Sequence, residues 1–330
     1  MFPLRWMLDR LPAWVPMLLA AVLMASIPGT AHALTCSATI TDVDFGTVSP
    51  LSSSATDTLA TLRITCTSIP SRSAVKICAS LADGSGGSSG SARLMTGPSN
   101  ATLSYQLFQD SSRTRGWGST DNAELGTVPA FSLGNGSSSS ATGTATLYAR
   151  LYGGQTSAPP GSFVSSYTGA ETALTYAAYS SGATSTCDGF SGTGVIRPEF
   201  DVTAKASAGC SVTTTDLVFP ATGILSTALQ GQASLGVTCT SKTAYSVTMD
   251  NGTTGTSPTA RKMVSTSDAS VTYGLYRNSA RTLAWGTGSL AASGSGIGGA
   301  QTLTVYGLVP VQPTPAPASY SDRVVVTLTY

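Results

Sequence analysis

The residues with the most reactive side chains are six cysteines: Cys36, Cys66, Cys78, Cys187, Cys210 and Cys239. None are spaced as Cys-x-x-Cys, the arrangement that zinc sites and thioredoxin-type redox centres need. An even count behind an export signal points instead to disulfides made in an oxidising compartment, with free buried thiols as the alternative. Hydrolytic chemistry finds no support. The single histidine, His32, falls in the expected signal segment, so neither a His-based triad nor a His metal ligand is expected. Asp42 and Asp44 alternate as they would on the solvated face of a strand, whereas a glycosidase pair needs a shaped cleft. Lys76, Lys205, Lys242 and Lys262 could each act as a base, but none sits in a Ser-x-x-Lys motif. Asn251-Gly-Thr253 fits a glycosylation sequon and is read as a turn. The expectation is a non-enzyme without metal or cofactor.

The rest of the chain fits an exported β protein. Arg5 and Arg10 precede an apolar stretch from about Ala13 to Ile27, and Ala31-His-Ala33 is a small-x-small cleavage site. Pro12, Pro16 and Pro28 interrupt this stretch, which is short for a membrane span, so residues 1–33 read as a signal peptide rather than a retained anchor. Only 10% of residues are charged and the formal net charge is +1, which excludes the basic face that a nucleic-acid partner needs. Short Thr- and Val-rich runs split by Gly, Ser and Asn clusters predict an all-β fold.

The two halves of the chain repeat each other. Cys36 and Cys66 frame one segment as Cys210 and Cys239 frame another. Leu62-Arg-Ile-Thr-Cys66 answers Leu235-Gly-Val-Thr-Cys239, and Ser104-Tyr-Gln-Leu-Phe108 answers Thr272-Tyr-Gly-Leu-Tyr276. Phe45 matches Phe219, Trp117-Gly118 matches Trp285-Gly286, Gly161-Ser-Phe163 matches Ala318-Ser-Tyr320, and Leu174-Thr-Tyr176 matches Leu328-Thr-Tyr330. Two β-sandwich domains in tandem follow, residues 34–208 and 209–330. If each copy closes its own pair, the bridges are Cys36–Cys66 and Cys210–Cys239, leaving Cys78 to pair with Cys187.

The copies differ at their ends. The second reaches Val324-Val-Val-Thr-Leu-Thr-Tyr330, a strand with Val324, Val326, Leu328 and Tyr330 on one face. The first continues past the matching point through residues 180–194 into Val195-Ile-Arg-Pro-Glu-Phe-Asp-Val-Thr-Ala-Lys-Ala206. There Ile196, Pro198, Phe200, Val202 and Ala204 alternate with Arg197, Glu199, Asp201, Thr203 and Lys205, the pattern of an edge strand with one buried face. The second copy is therefore expected to lack its final strand and to expose an apolar groove with unpaired backbone. Strand addition from a partner satisfies both.

Val237-Thr-Cys-Thr240, Val271-Thr-Tyr-Gly-Leu-Tyr-Arg-Asn-Ser-Ala-Arg-Thr282 and Tyr320-Ser-Asp-Arg-Val-Val-Val-Thr-Leu-Thr-Tyr330 resemble the spore coat protein U domain, the building block of archaic, Csu-type chaperone–usher pili. The first copy resembles it more loosely. The resemblance implies incomplete Ig-like β-sandwiches completed by donor-strand complementation, first by a periplasmic chaperone and then by the N-terminal strand of an adjacent pilin at an outer-membrane usher. Phe200-Asp-Val-Thr-Ala-Lys-Ala-Ser-Ala-Gly-Cys210 looks like such a donor segment, here joined to the copy that it completes. Only Leu34 and Thr35 would precede Cys36 after signal cleavage, too few for a donor strand, and this is the arrangement of a two-domain tip adhesin. The expected location is the pilus tip at the cell surface, with an abiotic or host surface as the final partner.

Strand alternation places the loops 67–73, 126–141 and 180–194 at the end of the first domain far from the second. They carry Ile69, Pro70, Val128, Pro129, Phe131, Leu133 and Phe190, which are expected to form an exposed apolar binding patch. The resemblance implies attachment through apolar finger loops and biofilm formation. A glycan pocket, or a purely structural shaft, spore-coat or surface-layer role, is the alternative. Trp117 is expected to have a shared turn or core role, because Trp285 matches it.

Overall fold

A computed structural model describes residues 33–134, 136–180 and 186–330. Residues 1–32, which carry nearly all of the expected signal peptide and His32, lie outside the described residues. Helix among the described residues is limited to single 3-10 turns such as Ala123–Leu125, and no helix is long and apolar enough to cross a membrane.

The chain is all-β, as the Thr/Val patterning predicts. Its first thirteen strands are β1 (Thr35–Ile40), β2 (Val43–Val48), β3 (Thr56–Thr67), β4 (Ser73–Leu81), β5 (Ser88–Ser89), β6 (Ala92–Thr96), β7 (Thr102–Phe108), β8 (Ala130–Leu133), β9 (Ser140–Leu151), β10 (Gly161–Tyr167), β11 (Thr172–Ser180), β12 (Gly194–Ile196) and β13 (Phe200–Ala206). One sheet runs β1-β3-β9-β7-β6-β10-β13-β2, with β5 on β6, and packs against a second, β12-β11-β4-β8. The alternation in β3 shows why: Ala60, Leu62, Ile64 and Cys66 point into the core, while Leu59, Thr61, Arg63 and Thr67 face water. The apolar cluster they join runs from Cys36 to Ala206.

The later strands are β14 (Cys210–Thr214), β15 (Leu229–Cys239), β16 (Ala244–Met249), β17 (Arg261–Val264), β18 (Ser270–Tyr276), β19 (Ala292–Ser295), β20 (Ala300–Val309) and β21 (Val326–Thr329). They form the sheets β14-β15-β20-β18-β17 and β19-β16-β21 around a separate apolar cluster that includes Leu235, Val237, Val247 and Trp285. We refer to the two clusters with their strands as the first and second units. Disulfides join Cys36–Cys66, Cys78–Cys187 and Cys210–Cys239, the pairing that the repeat implies. Cys36 and Cys66 are direct register partners on β1 and β3, as Cys210 and Cys239 are on β14 and β15.

The repeat extends to side-chain chemistry. Trp117 and Trp285 are both buried, and their indole N–H groups donate to the Ala79 and Val247 carbonyls. Arg93 and Arg261 are both fully buried, each with a guanidinium nitrogen donating to the backbone oxygen of that tryptophan at 2.8 Å.

Candidate functional site

The strand that completes the first unit is in place. β13 pairs antiparallel with β10, from Gly161↔Ala206 to Tyr167↔Phe200, and parallel with β2, from Val202↔Val43 to Ala206↔Val48. Phe200, Val202, Ala204 and Ala206 are buried, and Phe200 stacks on Tyr167 with ring centroids 4.4 Å apart. Pro198 is buried while Arg197, Glu199 and Lys205 are exposed. The expected single edge strand over Val195–Ala206 needs correction: Gly194–Ile196 is β12, on β11 of the second sheet, and Phe200–Ala206 is β13, flanked by β10 on one side and by β2, the edge strand, on the other.

The second unit has no strand in the matching place among the described residues. The segment matching β2 runs through Leu217–Pro220, outside any strand, and the segment matching β10 runs through Ala318–Val324, tied to β17 by the single bridge Val264↔Ser321. Between them lies a groove of about 1100 Å³. Leu217 and Phe219 form one wall, Tyr320 and Val324 the other, and Met249, Met263 and Leu275 the floor. Phe219 meets Tyr273 edge-on at 6.0 Å, as Phe45 meets Tyr105 at 6.4 Å in the first unit. Phe45 is buried, while Phe219 is only partly so. At the rim, Val218 is 74% exposed. A largely apolar channel between two segments that have no strand on the side facing it is what an extended apolar peptide fills.

Tyr273 and Asp322 form a polar pair in the groove. The Tyr273 hydroxyl donates to Asp322 Oδ2 at 2.7 Å, and Asp322 Oδ1 accepts the Thr253 N–H at 2.9 Å. Burial, followed by the bond to Asp322, pushes the Tyr273 phenol far above its ordinary range, so it stays a donor. The first unit solves the same problem with paired hydroxyls, Tyr105 and Tyr167 at 2.9 Å.

The expected acceptor edge needs correction. Val324 and Val326 line the groove, but Leu328 and Tyr330 do not. β21 pairs with β16, placing Leu328 opposite Val247 in the other sheet, and Tyr330 is 60% exposed. The chain passes from one sheet to the other near Val325, so its last residues extend the edge of the second sheet instead of the groove wall. Tyr320 and Asp322 take their place. The match of Ala318-Ser-Tyr320 to Gly161-Ser-Phe163 was the sequence signal for these, because β10 is what β13 pairs with.

The apolar loop residues are also rearranged. The loop 67–73 and the segment 136–139 do share one end of the first unit, where Ile69 N–H donates to Ser139 O and Arg72 N–H to Gly136 O. Ile69 itself is only 4% exposed and belongs to the core, while Pro70 is exposed. Residues 128–133 are not a loop at that end. Ala130–Leu133 is the strand β8, paired along β4 from Ala130↔Cys78 to Leu133↔Val75. Pairing turns Leu133 into the core, Pro129 is buried, and Phe131 is half-buried against Trp117 at 5.9 Å. Ile69, Pro129 and Leu133 are thus structural residues. Part of the loop 180–194 lies outside the described residues, but Cys187 and Phe190 fold over the outer face of β4. Lys76 Nζ stands 4.7 Å above the Phe190 ring, and Cys187 Sγ lies 3.5 Å from the Pro129 carbonyl oxygen. Half-buried Val128 and Phe190 therefore flank the Cys78–Cys187 bridge on the side of the unit, apart from Pro70.

The family model for the Spore Coat Protein U domain matches residues 21–170 and 197–327. Among solved structures, the chain is similar to the CsuC–CsuE chaperone–tip adhesion subunit pre-assembly complex of archaic chaperone–usher Csu pili from Acinetobacter baumannii. That match has 18% identity and a TM-score of 0.48, and covers 90% of this chain and 100% of that one. It is also similar to the CupB6 tip adhesin from Pseudomonas aeruginosa, at 12% identity and a TM-score of 0.39, covering 90% and 95% of the two chains. No curated protein matches the chain.

Proposed function

The chain belongs to the Spore Coat Protein U domain family, and on that premise we propose that it is an adhesin subunit of an archaic chaperone–usher pilus, acting at the pilus tip. Residues 34–208 are the surface-binding domain and residues 209–330 the pilin domain, behind a signal peptide at 1–33. The observation that supports this reading is the contrast between the units: the first has its groove filled by its own β13, and the equivalent groove of the second is open. A periplasmic chaperone fills that groove during export, and the N-terminal strand of an adjacent pilin replaces it at the outer-membrane usher. The role is binding, not catalysis.

Expression in the periplasm with and without the cognate chaperone tests the reading. The chain alone is expected to aggregate or be degraded, because an open apolar groove with unpaired edges is a template for aggregation. With the chaperone it is expected as a soluble one-to-one complex. A stable, soluble monomer without the chaperone would refute strand acceptance.

Attachment to abiotic or host surfaces, and biofilm formation with it, is assigned to the apolar side chains that remain accessible: Pro70, Val128, Phe131 and Phe190. Changing Val128→Ser and Phe190→Ser removes apolar contact worth about 1.5 kcal/mol per side chain, so adhesion of assembled pili to polystyrene is expected to fall on the order of a hundredfold. Unchanged adhesion at normal pilus numbers would remove this surface from consideration, and selective inhibition by a sugar would favour a glycan site.

A further inference from the structure

The junction between the two units offers a template for the junction between this chain and the next subunit. β13 leaves the first unit at Ala206, and Cys210 opens the second after a linker of three residues, Ser207–Gly209. The linker is tied on both sides. Ser207 N–H and Oγ donate to Val48 O at 2.9 and 3.1 Å, and Thr240 N–H donates to Gly209 O at 2.9 Å. Beside it, the bodies of the two units meet backbone to backbone. Gly298 has a φ of +76°, and a methyl group on it would fall 2.0 Å from the Thr156 carbonyl oxygen, so only glycine fits. Its loop is fastened to the disulfide strand, with Gly298 N–H donating to Cys239 O at 3.1 Å.

Thr156 is positioned by Gln155. The Gln155 amide accepts from Ser104 N–H at 2.5 Å and donates to Ser104 O at 3.0 Å and Tyr152 O at 2.8 Å. The second unit repeats this device at its own far pole. The Gln312 amide accepts from Thr272 N–H at 2.9 Å and donates to Thr272 O at 2.8 Å and Pro310 O at 3.2 Å. Pro313 follows Gln312 as Thr156 follows Gln155, and it is exposed. The surroundings differ in a telling way. Where the first unit has Gly154 before its glutamine, the second has Val311, 63% exposed. Ile224, 62% exposed, precedes Leu225, whose carbonyl accepts the Gln312 N–H at 3.2 Å.

A strand filling the second groove as β13 fills the first would exit beside Ala318, the match of Gly161, next to this pole. Its own globular body would begin a few residues later. Resting on the strand-acceptor reading above, we infer that Ile224, Val311 and Pro313 form the docking surface for the body of the subunit that donates the strand. That body would be another spore coat protein U-type unit, presenting a glycine loop equivalent to Gly296–Gly298. The intrachain junction is thus repeated between chains, with two exposed aliphatic side chains added where the first unit has small residues.

Photo-crosslinking in assembled pili tests this. Benzoylphenylalanine placed at Val218, on the groove rim, is expected to capture the donor strand of the next subunit. Placed at Val311, it is expected to capture that subunit's body at the loop matching Gly296–Gly298. Capture at Val218 with no capture at Val311, or with capture of a different surface, would overturn the junction while leaving the groove intact. No capture at Val218 would overturn the acceptor reading, and the junction with it. The double change Ile224→Ser and Val311→Ser is a second test. Retention of the chain on pili in mild urea is expected to drop on the order of a hundredfold, about tenfold for each of the two lost aliphatic contacts. The melting temperature of the chain filled with a synthetic peptide of the donor strand should not change. Equal retention, or an equal loss of stability in the peptide-filled chain, would overturn the proposal.

Discussion

A chain extended beyond Tyr330 by a short flexible linker and a copy of Pro198–Ala206 is expected to become a soluble monomer that no longer depends on the chaperone. The added strand can run antiparallel to Ala318–Val324, as β13 runs along β10, and reach Leu217–Pro220 on its other side, as β13 reaches β2. Its Phe, Val and two Ala side chains would enter the space between Val324, Tyr320 and the floor residues Met249 and Leu275. Each large apolar side chain so buried contributes about 1.5–3 kcal/mol, offset by the cost of ordering the strand. A net gain of about 2 kcal/mol raises the melting temperature by roughly 10 °C, measured by calorimetry against the chaperone-released chain. The Val202-equivalent position faces Asp322 where the first unit has Ser165, so a Val→Thr change in the added strand should be tolerated there. Phe→Arg at the Phe200 equivalent is expected to remove the gain entirely. An unchanged melting temperature for the unmodified extension would mean that the groove is not a strand site.

Losing either buried arginine is expected to unfold the unit that holds it. Arg93 Nη2 donates to Leu81 O at 2.6 Å and Trp117 O at 2.8 Å, Nε donates to Ala82 O at 2.8 Å, and Nη1 donates to Gln106. Arg261 Nε and Nη2 donate to Asp250 O at 2.9 and 2.6 Å, and Nη2 also to Trp285 O at 2.8 Å. Burial lowers the Arg261 pKa, but a guanidinium starts so high that it stays charged. In both places the cation binds backbone carbonyls at or just beyond a strand end, Leu81 and Ala82 for Arg93 and Asp250 for Arg261, together with that of the buried tryptophan. Arg93→Met or Arg261→Met keeps much of the volume but leaves two or three buried carbonyls without donors, at about 1–3 kcal/mol each. The expected loss is about 3–5 kcal/mol in urea unfolding, with Arg261→Met measured on the strand-filled chain. A loss below about 1 kcal/mol would mean that water replaces the guanidinium there.

Much of this was legible in the sequence because it rests on local, periodic signals. Alternation in 195–206 marked a buried face, and Phe200, Val202 and Ala204 are buried as that pattern requires, although the segment is two strands, β12 and β13, in different sheets. The repeat gave the three disulfides, since Cys36–Cys66 and Cys210–Cys239 are facing residues on matching strand pairs. It also gave the shared burial of Trp117 and Trp285. The buried arginines carry the same repeat signal, because Arg93-Leu-Met and Arg261-Lys-Met match, but their burial depends on carbonyls that only the fold brings around them. What the tertiary structure decided is where side chains with no period of their own end up. Phe131 and Leu133 look like loop residues in a Gly/Ser-rich stretch, and pairing with β4 makes them strand residues with one side chain in the core. Val324–Tyr330 reads as one continuous strand, yet the chain crosses between sheets within it, so only its first half faces the groove. Alternation fixes which side of a strand a residue occupies. Which sheet that side faces, and whether another strand already covers it, depends on pairings between residues far apart in the chain, and those are settled only when the two layers close on each other.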